Sequence, residues 1–323
     1  MAGEPVDRLP CWEPLGFEPA TLARWHREGL PHDVTLEQFF LWDHVEGVPV
    51  SLEAIPPEPG IPLPVPGRDH LRALFSSYCW SAPARYPYRW EALRRYWEGR
   101  EFALGLGLRF QVSGFGFEGV VKGFGKWLGE WVGEERVRKV GEDELVDEAL
   151  GFVEEFMRLT LQQAVEDVEP DFALLTDDLC PGGRALTPEE FAPLAPAYER
   201  LAGFVRGHGV PHVVLYTPGD VTALVPQLLA AGIDGLMPCA AAAGMDVLAL
   251  AKAHPELRII GGMDVWALQR EKRDADRETR LKLPPALERG GWIPCFDGPI
   301  PPTVPLGNYE RYWHVRQDVG CRM

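Results

Sequence analysis

From residue 171 onward the chain repeats one unit five times: a short apolar or β-branched run, then a longer helical pattern. A strand that is always followed by a helix returns to run the same way as its predecessor, so the repeat dictates a parallel sheet wrapped by helices. The runs are FALLT (172–176), HVVLY (212–216), DGLMPC (234–239), RIIGGMD (258–264) and GWIPCFDG (291–298). After the first, Thr187 as N-cap, Pro188 and Glu190 form a capping box that opens a helix expected to reach about Gly209. VTALVPQLLAAG (221–232) ends on a C-cap glycine, and helical patterns over 245–253, 266–289 and 308–319 complete the remaining units.

Upstream, EFALGLGLRFQVSG (101–114) is expected to be a further buried strand, followed by a helical pattern over 117–132 and an amphipathic helix over 143–168. Six strands are thereby placed. A closed barrel needs eight, so two more are expected in the proline-rich first 100 residues or between 100 and 170. IPPEPGIPLPVPG (55–67), with six prolines, is expected to be an extended connection. The expected fold is an α/β, (β/α)8 TIM barrel with an N-terminal extension, forming a single domain over 1–323. Residues 1–100 are its less regular part and 101–323 carry the clear βα units. An open doubly wound sheet produces the same pattern and is the alternative.

A length of 323 residues with 46% apolar residues suits one barrel of about 250 residues plus an extension. The net charge of −16 repels nucleic-acid phosphates and anionic membrane surfaces, so neither is an expected partner. Cys11, Cys79, Cys180, Cys239, Cys295 and Cys321 are widely scattered, as reduced thiols in a cytoplasmic protein would be. The N-terminus lacks a signal-peptide pattern, and no run approaches the ~18 apolar residues of a membrane span. A small-molecule substrate and a cytoplasmic location are expected, with a homodimer left open.

Both architectures place chemistry at the C-terminal ends of the strands. The polar groups there are Asp177, Asp178, Tyr216, Asp220, Cys239, Asp264 and Asp297, contributed by five successive strands. Converging carboxylates are costly in a core unless a proton or a cation relieves them, which suits proton transfer or cation binding. Asp178, Tyr216, Asp264 and Asp297 are the catalytic candidates. Asp177, Asp220, Cys239 and Met263 are the substrate-binding candidates. Adjacent residues of a strand point to opposite sides, so only one of Asp177 and Asp178 faces the pocket while the other braces a loop. Asp220 and Asp264 equally suit helix caps.

GFGFEG (114–119) matches the G-x-G-x-x-G spacing, but its phenylalanines and the absence of a second strand ending in an acid argue against a nucleotide loop. The chain has no C-x-x-C, H-x-C or H-E-x-x-H spacing, so no metal site is expected. No G-x-S-x-G elbow occurs, and none of the eight histidines ends a confident strand, so histidine is not the expected base. Arg85, Arg89, Arg94 and Arg95, interleaved with aromatic residues over 86–97, fit either an amphipathic helix or an anchor for acidic substrates.

DDLCPGGRALTPEEFAPLAPAYERL, GIDGLMPCAAAAGMD, RIIGGMDVWAL and GGWIPCFDGPIPPTVPLGNYERY resemble, in that order, segments of the uroporphyrinogen decarboxylase superfamily; ATLARWHREGLP is similar to a segment of its environmental members. The resemblance covers most of 20–315. It implies a (β/α)8 barrel and a pocket for a tetrapyrrole or corrinoid, used for decarboxylation or for methyl transfer. Where decarboxylases carry an arginine-rich N-terminal motif, this chain has PCWEPLGFEP, and Gly298 stands where they have a histidine. The positions matching the zinc ligands of thiol-activating methyltransferases are Tyr216, Pro218 and Gly298. The chain thus looks like a divergent member related to corrinoid methyltransferases. The resemblance implies first a decarboxylase-like lyase acting on a tetrapyrrole-type or related carboxylated substrate. The alternatives are a corrinoid-dependent methyltransferase served by a corrinoid protein, and a non-catalytic tetrapyrrole-binding barrel. No cofactor is implied with certainty, and a corrinoid is the one left open.

Overall fold

The structure is a computed structural model and describes residues 7–50, 85–106 and 138–319. Seven parallel strands lie in sequential order: β1 (Val45–Val48), β2 (Ala103–Leu106), β3 (Phe172–Thr176), β4 (Val213–Tyr216), β5 (Gly235–Met237), β6 (Arg258–Ile260) and β7 (Trp292–Ile293). An order with no reversal contains no topological switch point, which excludes the doubly wound alternative. The register sets Thr176 opposite Tyr216 and Tyr216 opposite Met237.

The sheet is curled. Val45, Ala103, Leu174, Val214, Met237, Ile260 and Ile293, one from each strand, pack in one buried cluster. In a flat sheet the outer two of these would lie roughly 29 Å apart, at ~4.8 Å per strand step. Two glycines let β6 close onto β5: Gly261 and Gly262 both have positive φ, and a Cβ on Gly261 would sit 2.0 Å from the Pro238 carbonyl oxygen.

The expected eighth strand is not found among the described residues, which show no ladder between β7 and β1. Residues 8–18 run there instead. On the β1 side, the Cys11 N–H donates to Asp43 Oδ2 (2.6 Å) and the Asp43 N–H to the Cys11 carbonyl (2.7 Å). On the β7 side, the Phe296 N–H donates to Glu13 Oε2 (3.0 Å) and the Ile300 N–H to the Gly16 carbonyl (3.0 Å). Phe17 forms an isolated parallel bridge with Ile300, and Trp12 enters the inner cluster. Side-chain bonds, single backbone bonds and one bridge take the place of a ladder here, because Pro10 and Pro14 lack the N–H groups of a regular strand. The N-terminal extension is therefore part of the wall.

A buried arginine and a buried acid, linked through Tyr312, clamp this seam. Arg316, on helix α10 (Leu306–Val319), donates to the Pro294 carbonyl (2.9 Å), to Tyr312 Oη (3.1 Å) and to the Pro10 carbonyl. Tyr312 in turn donates to Glu13 Oε1 (3.2 Å). Burial pushes the Glu13 carboxyl up to about 7, against the opposing pull of the Phe296 N–H, Arg316 and Tyr312.

Of the outer helices, α1 (Pro19–Glu28) and α2 (Leu36–Phe39) precede β1, and α3 (Trp90–Trp97) precedes β2. The long α4 (Glu144–Asp167) buries a stripe from Leu145 to Val165. The helix expected over 187–209 is two, α5 (Pro188–Phe191) and α6 (Ala195–Gly207), because Pro193 interrupts the hydrogen-bond ladder. Likewise α7 (Val225–Ala230), α8 (Val247–Ala253) and α9 (Lys272–Arg289) follow 3-10 turns or loops at the ends of β4, β5 and β6. The arginine and aromatic run belongs to the α3 surface and its flank. Trp90 donates to Asp167 (2.6 Å), Arg85 lies buried over the Phe156 ring (4.8 Å), and Arg94 and Arg95 pair with Glu91. The segments 55–67 and 114–119 and the helical pattern over 117–132 lie outside the described residues. No described helix is long and apolar enough to cross a membrane.

Candidate functional site at the strand ends

The turn after β3 separates its two acids. Asp177 is buried; Oδ2 accepts the Tyr198 hydroxyl from α6 and Oδ1 accepts the Asp178 N–H (2.7 Å). It ties the strand to the helix layer. Asp178 is half-buried, and its Oδ1 accepts the Cys180 N–H (2.8 Å), which leaves Oδ2 without a donor among the described residues. The loops after β3 and β4 touch: Gly219 has φ of +91°, and a Cβ there would lie 2.4 Å from Cys180 Sγ. That approach brings Asp220 to the same thiol as Asp178; burial raises the Cys180 pKa first, and the two acids raise it further. Asp220 also holds its own turn, accepting the Thr222 N–H (3.0 Å) and hydroxyl (2.6 Å).

Tyr216 ends β4 and packs against the inner cluster, and burial raises its phenol above the ordinary value. It remains a neutral hydroxyl at physiological pH.

A second group gathers at the ends of β5, β6 and β7. Asp297 is buried; Oδ2 accepts the Ala241 N–H (2.8 Å), Oδ1 accepts the Val265 N–H (3.0 Å), and its own N–H donates to the Met263 carbonyl (2.9 Å). One carboxylate thus fixes the loops after β5 and β6 to the end of β7. Its pKa is raised, first by burial and then by Asp264, while the two N–H donors and Lys282 pull the other way. Cys239 is buried with a positive φ (55°), and its thiol is pushed up to about 12 by burial and by Asp297. It stays protonated, so it offers neither a nucleophile nor a thiolate ligand. Met263 is fully buried. Asp264 caps the following 3-10 turn by accepting the Trp266 N–H (2.9 Å).

The strand ends therefore bring the candidates together as two groups: Asp178 with Asp220, and Cys239, Met263 and Asp264 with Asp297, with Tyr216 on the strand between them. Asp177 is turned toward α6. Two residues absent from the sequence reading belong to the second group. Glu278 Oε1 accepts the Asp264 N–H (2.8 Å), and Lys282 donates to the Gly262 carbonyl (2.6 Å) and to Glu278. Their spacing of four on α9 is a sequence signal for a paired helix face. It does not tell which way the face points. Among the described residues, no three of His, Cys, Asp or Glu converge closely enough to hold a metal ion. The arrangement suits proton handling: a buried acid of raised pKa, a partly open carboxylate and a neutral phenol at one mouth.

No family profile matches the chain, and no curated protein matches it. Among solved structures, a methyltransferase from Methanosarcina mazei is similar over 98% of this chain and 95% of its own, with a TM-score of 0.55 and 17% identity. At that identity the likeness is one of fold.

Proposed function

We propose that the protein is a corrinoid-dependent methyltransferase in which strand-end acids manage the proton of the leaving group. The observation that carries this reading is Asp297, a buried carboxyl of raised pKa that ties together the ends of β5, β6 and β7 in a fold whose other strand-end group holds the half-buried Asp178. The fold likeness to a methyltransferase along nearly the whole chain supports it over decarboxylation. Anchoring an acidic porphyrinogen calls for arginines, and the run that could have supplied them sits on the α3 side of the sheet.

A corrinoid supplies a cobalt centre that accepts or donates the methyl group. Among the described residues no histidine stands at the C-terminal end of a strand, so a corrinoid would be presented by a separate corrinoid protein. The chain's own contribution is local. When a methyl group leaves an ether, amine or folate-type donor, the heteroatom left behind needs a proton, and a carboxyl of raised pKa can give it. Asp297 is that donor. Asp178 exchanges the proton with solvent, Tyr216 orients the donor molecule, and Asp264 holds the loop that carries Val265 against Asp297.

The test is a titration of the purified protein with cobalamin and with a porphyrin tetracarboxylate, followed by visible absorbance and repeated on Asp178→Asn. Cobalamin is expected to bind and the porphyrin not to. Porphyrin binding alone would replace this reading with decarboxylation, and binding of neither would remove the tetrapyrrole inference.

A further inference from the structure

The opposite end of the sheet carries a cavity that the strand-end chemistry does not use. It has a volume of about 490 Å³ and opens at the N-terminal ends of β1 to β4, within the ~300–1,000 Å³ typical of small-molecule sites. Its walls are aromatic and aliphatic: Trp12, Phe102 and Phe172, with Ile260 and Ile293 at the inner end. Val45 and Ala103 are too small to fill the space. Barrel interiors are packed at this level, so an open bottom is a departure that calls for an occupant. From Phe172 to Asp177 the strand rises about 17 Å, at ~3.3 Å per residue, so the mouth is remote from Asp177 and Asp178, while Ile260 and Ile293 at the inner end share the buried cluster that holds Tyr216.

The polar groups at the mouth are Arg100, Glu101, Asp171 and His212. Arg100 turns its two terminal nitrogens to the Trp97 carbonyl (3.5 Å), the Glu169 carbonyl and Asp171 Oδ2 (3.2 Å), and its Nε is buried without a hydrogen-bond partner among the described residues. Asp171 Oδ2 also accepts the Leu104 N–H (2.7 Å), and its Oδ1 has no donor among the described residues. His212 Nδ1 lies 2.8 Å from Asp234 Oδ2, so that face of the ring is already partnered. Glu101 is exposed and has no partner among the described residues. What the exposed rim offers a ligand is therefore two carboxylates, Glu101 and Asp171 Oδ1, beside aromatic walls on a chain of net charge −16. Aromatic faces and carboxylates both attract cations and repel anions.

We propose that this cavity is a second binding site, for an organic ammonium ion with an apolar body: the body lies against Trp12 and Phe172, and the ammonium is held at the mouth by Glu101 and Asp171.

The experiment is calorimetric titration of the full chain with phenethylammonium, phenylacetate and 2-phenylethanol, which share an apolar body and differ in charge. The cation is expected to bind at least tenfold more tightly than the other two. Ala103→Trp, which fills the cavity, is expected to abolish binding, and Glu101→Lys to weaken it tenfold or more. Should Ala103→Trp disturb folding, Glu101→Lys alone decides, because its side chain is exposed. Asp178→Asn, at the other end, is expected to leave binding unchanged. Binding of none of the three, equal binding of phenylacetate, persistence in Glu101→Lys, or loss in Asp178→Asn would each overturn the proposal.

Discussion

Glu13 and Asp297 are both buried acids that accept backbone N–H groups, and burial raises the pKa of each, yet their surroundings differ in kind. Glu13 lies in the seam between the N-terminal segment and α10. A buried arginine and a tyrosine complete its shell, and Arg316 itself stays charged because Tyr312, Cys11 and Glu13 outweigh its loss of solvation. Asp297 lies at the strand ends, where both oxygens are held by N–H groups and the larger of its two charged influences is another acid, Asp264, ahead of Lys282. An acid matched to a buried cation is committed to holding two parts of the wall together. An acid held by backbone dipoles, with a neighbouring acid raising its pKa and no bonded cation among the described residues, is the less committed of the two, and raised pKa values of this kind mark groups suited to proton transfer.

The largest effect that would sharpen this contrast belongs to the seam. Arg316→Met leaves Glu13 buried without its cation and frees the Pro10 and Pro294 carbonyls, so urea unfolding should show a loss of about 3–5 kcal/mol. A loss below about 1 kcal/mol would mean that the seam is held by packing of Trp12 and Phe17 instead.

Next in size is the pH dependence that Glu13 imposes. Its folded pKa of about 7 lies above its ordinary value of 4.5, so the folded protein binds this proton more tightly than the unfolded chain. Stability from this group is therefore full below pH 4.5 and is lost as pH rises to about 7, by at most about 3 kcal/mol. Glu13→Gln keeps an acceptor for the Phe296 N–H and removes the titration. Unfolding free energies measured from pH 4.5 to 7 should fall in the parent protein and run flatter in the variant; equal slopes would show that Glu13 is not the group responsible.

The two regions also differ in how far they could be read from sequence. The strands from 172 to 293 follow a βα rhythm whose caps and glycines are local signals, and Thr187 with Glu190 forms the capping box that its spacing predicts. The separation of Asp177 from Asp178 follows from strand geometry alone. β1 is different: VEGV is four residues long, contains a glycine and a glutamate, and has no alternation to mark it. The seam is less legible still. Nothing local in PCWEPLGF shows that Glu13 is buried, because the Phe296 N–H that it accepts is 283 residues away in sequence. The lower cavity escaped for another reason: Arg100, Glu101, Asp171 and His212 precede their strands, where capping and solvation are the ordinary explanations for polar residues.

The smallest stability effect, and the one most able to break the contrast, belongs to Asp297→Asn. The amide keeps one acceptor but turns its NH2 toward one of the two N–H groups now bound, so the stability cost should be about 1–3 kcal/mol, the range for one unsatisfied buried group. If Asp297 supplies the proton, methyl transfer should fall by about 10²-fold or more, far beyond what so small a loss of folded protein explains. Thermal unfolding and turnover measured on the same preparation separate the two. Should Asp297→Asn instead unfold the protein as fully as Arg316→Met while the residual folded fraction turns over normally, Asp297 is a brace like Glu13. The proton donor would then have to be sought at Asp178, whose second oxygen is the one the described structure leaves open.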